Sequence, residues 1–256
     1  MKVISIFNQK GGVGKTTTSI NLCAFLALNG YKVLSIDIDP QGNTTSGLGF
    51  DKRSIDTSVY DVLTSDASID SAIKKCELVE NFFLVPSTIE LAGAEVELIS
   101  IPKRENILKN KLARMEQKFD FVFIDCPPSL GFLTVNALTA SDSVFIPIQC
   151  EFYALEGVGQ LLNTINLVKK SLNRDIEVEG VLLSMFDSRA RLANEVMNEV
   201  KAHFKDKVYE TVIPRNIRLA EAPSYGLPIM LYDDKCKGSE AYEQLAKEFI
   251  IRQGGK

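Results

Sequence analysis

Nine residues close to the amino terminus, Gln9-Lys10-Gly11-Gly12-Val13-Gly14-Lys15-Thr16-Thr17, have the types and spacing of a loop that holds phosphate. Glycines at 11, 12 and 14 let successive backbone N–H groups turn toward one anion, and a helix starting just beyond them adds its positive end. Lys15 is placed to reach the β and γ phosphates of a nucleotide, Thr16 to offer its hydroxyl to magnesium, and Thr17 to bond the α phosphate. The general phosphate-loop pattern has a glycine where this chain has Gln9, but Gly11 and Gly12 restore the needed freedom inside the turn.

Carboxylates follow at the ends of two apolar runs. Phe121-Val122-Phe123-Ile124-Asp125 ends in an acid suited to holding magnesium through a bound water. The run ending Asp37-Ile38-Asp39-Pro40-Gln41-Gly42-Asn43 carries two more, and strand alternation predicts that Asp37 and Asp39 share a side, one supporting the metal region and the other orienting an attacking water.

These residues need a scaffold that brings distant loops together. Val3 to Phe7 reads as a buried strand followed by the glycine turn, and Lys15 to Leu28 as a helix ending at Asn29-Gly30. Strands are predicted again at Lys32–Asp37, Phe82–Val85, Phe121–Asp125, Val144–Ile148, Val178–Met185 and Val208–Ile213. Helices are predicted around Leu91–Ile99, Glu105–Gln117, Leu155–Leu172, Leu192–Phe204 and Glu240–Ile251, with Asp51–Ala72 as short helices and loops over the sheet edge. This alternation implies an α/β chain of the P-loop NTPase class, a single domain over residues 1–256 with a doubly wound, mainly parallel sheet and helices on both faces. Such sheets work at the carboxyl ends of their strands, where the residues singled out above fall. The segment 252–256 reads as a frayed tail.

Composition is that of an ordinary globular chain: 256 residues, 45% hydrophobic, 24% charged. A formal charge of -4 supplies no overall field for nucleic acid or anionic lipid, so any DNA binding must come from a local patch. Five scattered cysteines, at 23, 76, 126, 150 and 236, without a CxxC pair read as buried small hydrophobes of a reducing compartment. With neither a signal-peptide pattern nor an apolar run of membrane-spanning length, the expectation is a cytoplasmic protein.

The residues from Asn8 to Thr17, Asp39-Pro40-Gln41-Gly42-Asn43, Asp125-Cys126-Pro127-Pro128-Ser129 and Ile213-Pro214-Arg215-Asn216 together resemble the ParA/Soj family of chromosome and plasmid partition ATPases, within the wider group that includes MinD and the nitrogenase iron protein. The resemblance spans essentially the whole chain. It implies ATP and Mg2+ as ligands, with Gly11, Gly12, Val13, Gly14, Lys15, Thr16 and Thr17 on the phosphates and Thr16, Asp37 and Asp125 around the metal. It implies that Lys10 crosses a dimer interface to the partner's phosphate, that Lys10, Lys15 and Asp39 serve catalysis, and that Pro214 and Asn216 edge the base pocket. A second ammonium beside Lys15 also makes physical sense if a large negative charge lies between them.

Among the relatives, the iron-protein branch needs thiolates from both subunits, and only Cys126 sits near the site. The MinD branch reaches membrane through a basic amphipathic tail, whereas Glu240 to Lys256 reads as a packed last helix with acids at Glu240, Glu243 and Glu248. The remaining branch binds duplex DNA nonspecifically as an ATP dimer, through arginines corresponding to Arg189 and Arg218; Arg215 is a third candidate, and Arg191, Lys201, Lys205 and Lys207 could extend the patch. No helix-turn-helix module precedes Val3 in this sequence, which favours nonspecific over site-specific binding. The expected partners are thus a second copy of the chain, double-stranded DNA and a ParB-like centromere-binding protein, with no membrane, and the expected location is the nucleoid. Two alternatives fit the same motifs: an ATPase that positions a protein cargo, and a regulator of replication initiation with little turnover. Gln41, Asn43 and Glu151 occupy loop positions able to move in a switch.

Overall fold

The computed structural model describes residues 1–151 and 154–255. Its centre is a seven-stranded sheet of β1 (Lys2–Ile6), β2 (Val33–Asp37), β3 (Lys74–Lys75), β4 (Phe82–Val85), β5 (Phe121–Asp125), β6 (Ser143–Gln149) and β7 (Glu177–Ser184), in spatial order β3-β4-β2-β5-β1-β6-β7. Neighbours run parallel, except that the short edge strand β3 pairs antiparallel with β4. The helices are α1 (Lys15–Leu28), α2 (Asn43–Gly47), α3 (Val59–Thr64), α4 (Ile69–Ala72), α5 (Leu91–Glu97), α6 (Ile107–Ala113), α7 (Phe132–Ala140), α8 (Ala154–Ser171), α9 (Arg191–Phe204), α10 (Ile217–Glu221), α11 (Ile229–Tyr232) and α12 (Lys237–Arg252).

Strands covered on both faces must be apolar at every position, and alternation divides their side chains between two cores. Val3, Val122, Ile124, Val144 and Ile146 face one core, which is closed by residues of α3 to α9. Ile4, Ile6, Phe121, Phe123 and Phe145 face the other, closed by α1 and α12 with Leu219 and Ile229. The doubly wound α/β architecture read from the alternation is therefore present. Val59, Val62, Leu63 and Ile69 tie the polar stretch after Asp51 into the first core.

Helix α1 spans the predicted residues because its ends are well marked. Gly14, at φ 88, begins it with no side-chain cap, which leaves the first-turn amides available. At the other end Gly30 (φ 88) donates to the Ala27 carbonyl at 2.9 Å and Tyr31 to that of Leu26 at 3.2 Å, the paired bonds of a Schellman stop.

The segment 208–213 is not the strand its apolar pattern predicts. It lies beside β7, with Tyr209 N–H on the Val181 carbonyl and Ile213 N–H on that of Leu183, both at 2.9 Å. The ladder breaks between them because the Glu248 carboxylate of α12 takes the amides of Glu210 and Thr211 at 2.9 Å each. Arg252, placed in the tail by the sequence, is the last residue of α12: its guanidinium stacks 4.1 Å from the Tyr209 ring centre and donates to the Val208 carbonyl at 2.7 Å. Lys256, the end of that expected tail, lies outside the described residues. No helix among the described residues is long and apolar enough to cross a membrane.

Candidate functional site

The loop after β1 sits at the middle of the sheet, and Asp125 and Asp37 end the next two strands on one side of it. Registers pair Ile6 with Asp125 and Asp125 with Asp37, so three strand ends deliver the site at one level. Gly12 (φ 75) and Gly14 (φ 88) both hold left-handed conformations that favour glycine, and Ser184 at the end of β7 donates to the Val13 carbonyl at 2.8 Å. The loop is thereby tethered from the β7 side.

Lys15 is buried, and its ammonium donates to the Lys10 carbonyl at 3.2 Å, bending back over the loop. Burial lowers its pKa, and the charges of Asp125 and Asp39 oppose that loss. The Thr16 hydroxyl donates to Asp125 Oδ2 at 2.8 Å, while Asp125 Oδ1 is buried without a hydrogen-bond partner. An unpartnered buried carboxylate oxygen is costly unless something else occupies its coordination space. Oxygen donors of this kind, a carboxylate and a hydroxyl beside a phosphate cradle, fit magnesium.

Asp37 and Asp125 are both buried, and this raises both acids: Asp37 to about 7, through burial and then the Asp125 charge, and Asp125 to about 6, through burial. Asp37 is already engaged, accepting from the Thr45 amide at 2.8 Å and hydroxyl at 2.7 Å on Oδ2, and from the Asp39 amide at 3.3 Å on Oδ1. These bonds brace the loop that follows β2 against Asp37. Strand β2 ends at Asp37, so a turn rather than strand alternation sets Asp39, whose Oδ1 accepts from Gln41 N–H at 2.9 Å.

Lys10 is half-exposed, and its ammonium donates to Glu151 Oε2 at 3.2 Å, so a negative charge is already supplied within the chain. Arg215 lies 4.0 Å from the same carboxylate. Beside Gly14 and Thr17 opens a cavity of about 380 Å³ whose walls include Met185, Pro214, Asn216, Leu219 and Tyr242. It is mainly apolar and has the size for a base. Asn216 spends its Oδ1 capping α10, where it accepts from Arg218 N–H at 2.8 Å, which leaves the amide nitrogen for another partner. Burial pushes the Cys126 thiol well above its ordinary range and keeps it protonated.

The basic candidates stand apart from this cluster. Arg189, with its side chain 88% exposed, forms a two-pronged pair with Asp187 at 3.0 Å. Arg218, half-exposed, is held by Glu221 at 2.9 Å and Asp233 at 3.4 Å. Arg191 pairs with Glu195 and Lys201 with Glu210. Lys207 lines a groove with Lys2, Asp142 and Glu177 at the amino ends of β1, β6 and β7, so it does not extend a patch at their carboxyl ends.

Sequence reasoning missed Thr44 and Thr45, whose hydroxyls donate to Asp125 Oδ2 and Asp37 Oδ2 at 2.7 Å each. The signal was their place just after Gly42-Asn43, at the start of a helix facing two acids.

A family model described as an AAA domain matches residues 1–178. The chain is 60% identical over 247 residues to the sporulation initiation inhibitor protein Soj of Bacillus subtilis (strain 168), covering 96% of this chain and 97% of that protein. It is 51% identical over 255 residues to the chromosome partitioning protein ParA of Myxococcus xanthus (strain DK1622), covering 100% of this chain and 90% of that one. Among solved structures, one named cobyrinic acid a,c-diamide synthase, from Mycobacterium smegmatis, was determined with ADP and magnesium and with an ATP analogue and magnesium. It superimposes with a TM-score of 0.86 at 38% identity, covering 99% of this chain and 96% of that one.

Proposed function

The chain belongs to the ParA/Soj family of chromosome and plasmid partition ATPases, and on that premise we propose that it is an ATP-dependent, dimerising DNA-binding switch for partition. The observation that carries the catalytic half is the unpartnered Asp125 Oδ1 beside the Thr16 hydroxyl and the buried Lys15. Magnesium, when bound there, offsets charge on the β and γ phosphates. Gly11 to Thr17 direct their amides to the phosphates, Lys15 reaches the β and γ oxygens, and Pro214 and Asn216 edge the adenine in the adjoining cavity.

Asp39 orients the attacking water, and Lys10 leaves Glu151 to reach the phosphates bound by a second copy. A triphosphate carries more negative charge than a surface carboxylate, whose pairing contributes little, and so pulls the half-exposed Lys10 ammonium more strongly. ATP then closes two copies face to face, and hydrolysis separates them.

Arg189, Arg215 and Arg218 supply the phosphate contacts for nonspecific duplex binding, and pairing two copies doubles a modest patch. A ParB-like protein on the cargo DNA stimulates hydrolysis, and the ATP-bound dimer resides on the nucleoid. ATP hydrolysis measured with the chain alone, with duplex DNA, and with DNA plus the ParB-like protein of the same genome tests this. Slow turnover accelerated severalfold by the last combination supports the reading; a rate indifferent to DNA and partner overturns it.

A further inference from the structure

The metal-side carboxylate and the α10 arginine are joined by an unbroken series of contacts through α2. At its start, Thr44 donates to Asp125 Oδ2 at 2.7 Å, and Thr45 bonds Asp37 through its amide and hydroxyl. Ser87 N–H, in the loop after β4, donates to the Thr45 hydroxyl at 2.9 Å, fixing that end as well. The first turn of α2 is thus bolted to the strand ends that carry the acids.

Beyond its other end the chain meets the 3-10 turn Ala222–Tyr225, which continues directly from α10. Backbone touches backbone there: a Cβ built on Gly226 (φ +68) would lie 2.6 Å from Gly49 Cα, and one on Gly49 (φ +83) 3.2 Å from the Gly226 carbonyl oxygen. A Cβ on Gly47 would likewise lie 2.6 Å from Ile20 and 3.5 Å from Pro223. With no side chain between these glycines to absorb a shift, α2 and the 222–226 turn must move together. Glu221, at the end of α10, holds Arg218 at 2.9 Å and accepts from the Tyr232 hydroxyl at 3.0 Å.

We infer that α2 and the Gly49–Gly226 contact form a relay through which occupancy beside Asp125 sets the position of α10 and the acid clamp on Arg218. Thr44 is the positioning residue at the sensing end, because its hydroxyl shares Asp125 Oδ2 with that of Thr16, the hydroxyl assigned to magnesium. The relay connects the metal side of the site to the basic surface by a route separate from the base cavity, whose wall includes α10, and it rests on the magnesium nucleotide reading given above.

Hydrogen exchange of peptides covering 43–50 and 216–226, compared in Mg-ADP and in ADP with EDTA, isolates the metal's effect from that of the base, which itself lies against α10. Calorimetry in the same buffers reports binding. In the unaltered chain both peptides should change protection by about fivefold or more on adding magnesium, the usual scale of coupling between sites. Thr44→Val should still bind ADP but lose the response at 216–226, and Thr44→Ser, which keeps the hydroxyl, should restore it. Gly226→Ala should keep the response at 43–50 and lose that at 216–226; if it fails to fold by circular dichroism, the Thr44 pair decides. A full response at 216–226 in Thr44→Val overturns the relay. Binding of Mg-ADP with a silent 216–226 in the unaltered chain overturns the relay alone, whereas no binding overturns the nucleotide reading and the relay together.

Discussion

The phosphate loop and the arginine segment that follows β7 both gather charge at the same end of the sheet, yet they hold it in opposite ways. Lys15, Asp37, Asp39 and Asp125 are buried, and Thr16, Thr44, Thr45 and Ser87 hydrogen-bond around the acids. Arg189 and Arg218 are exposed and satisfied by acids a few residues away. Burying charge is expensive, so a cluster that does so without full internal pairing points to a ligand that completes it. Exposed ion pairs carry no such implication, since they form and break at little cost. The first region therefore announces a ligand in its own geometry, whereas the second gives no such sign of a partner.

The largest expected effect lies in the buried region. Lys15→Ala should weaken Mg-ATP binding by about a hundredfold or more, the scale of losing charge-assisted bonds in a dry site; tight binding in calorimetry would erase the contrast drawn above. Asp39→Ala should leave binding nearly intact while slowing hydrolysis by about a hundredfold, and light scattering should find a persistent ATP dimer. Only monomers in excess ATP would remove Asp39 from catalysis.

In the exposed region the effects should be smaller and salt-dependent. Arg218→Glu should weaken duplex retention by about tenfold at low salt and flatten its salt dependence, with ATP-driven dimerisation preserved. Unchanged gel shifts at matched salt would take Arg218 out of the patch.

The smallest effect separates the two kinds of carboxylate by pH. Burial holds the neighbouring Asp37 and Asp125 carboxyls above the usual carboxylate range, so the protonated pair favours folding at low pH and this contribution is lost as the pH rises past the pair's raised folded-state range. In EDTA, the Tm of Asp125→Asn, which also relieves Asp37 of its neighbour's charge, should therefore fall less than that of the unaltered chain between pH 5 and 8. Asp187, held down to about 2 by the Arg189 bonds, is already ionised across that range, and Asp187→Asn should leave the slope unchanged. Equal slopes in all three chains would mean that the buried pair carries no such strain.

Much of this was legible in the residues alone. Strand ends that carry Asp37 and Asp125, and the glycine loop before Lys15, are local patterns whose chemistry follows from type and spacing. Thr44 and Thr45 were not legible, because threonines opening a helix look ordinary until register places two acids opposite them. The segment 208–213 has the apolar pattern of a strand, and only the fold reveals that Glu248, far along the chain, takes the amides a strand would share. Arg252 looks like the start of a loose tail for the same reason: its partner, the Tyr209 ring, is distant in sequence. Arg189 and Arg218 could be picked out only by resemblance, since exposed arginines beside acids have no distinguishing pattern of their own.

Glu248 has an effect on self-association as well as on the fold. A parallel sheet with a free outer strand offers a template for edge-to-edge growth by other chains. Here the 208–214 segment covers β7, and Glu248 takes two of its own amides, while the opposite border is the two-residue β3 made of Lys74 and Lys75. Both margins are blunted against strand addition, so the nucleotide-dependent pairing proposed above would not have to compete with edge-to-edge growth of the sheet.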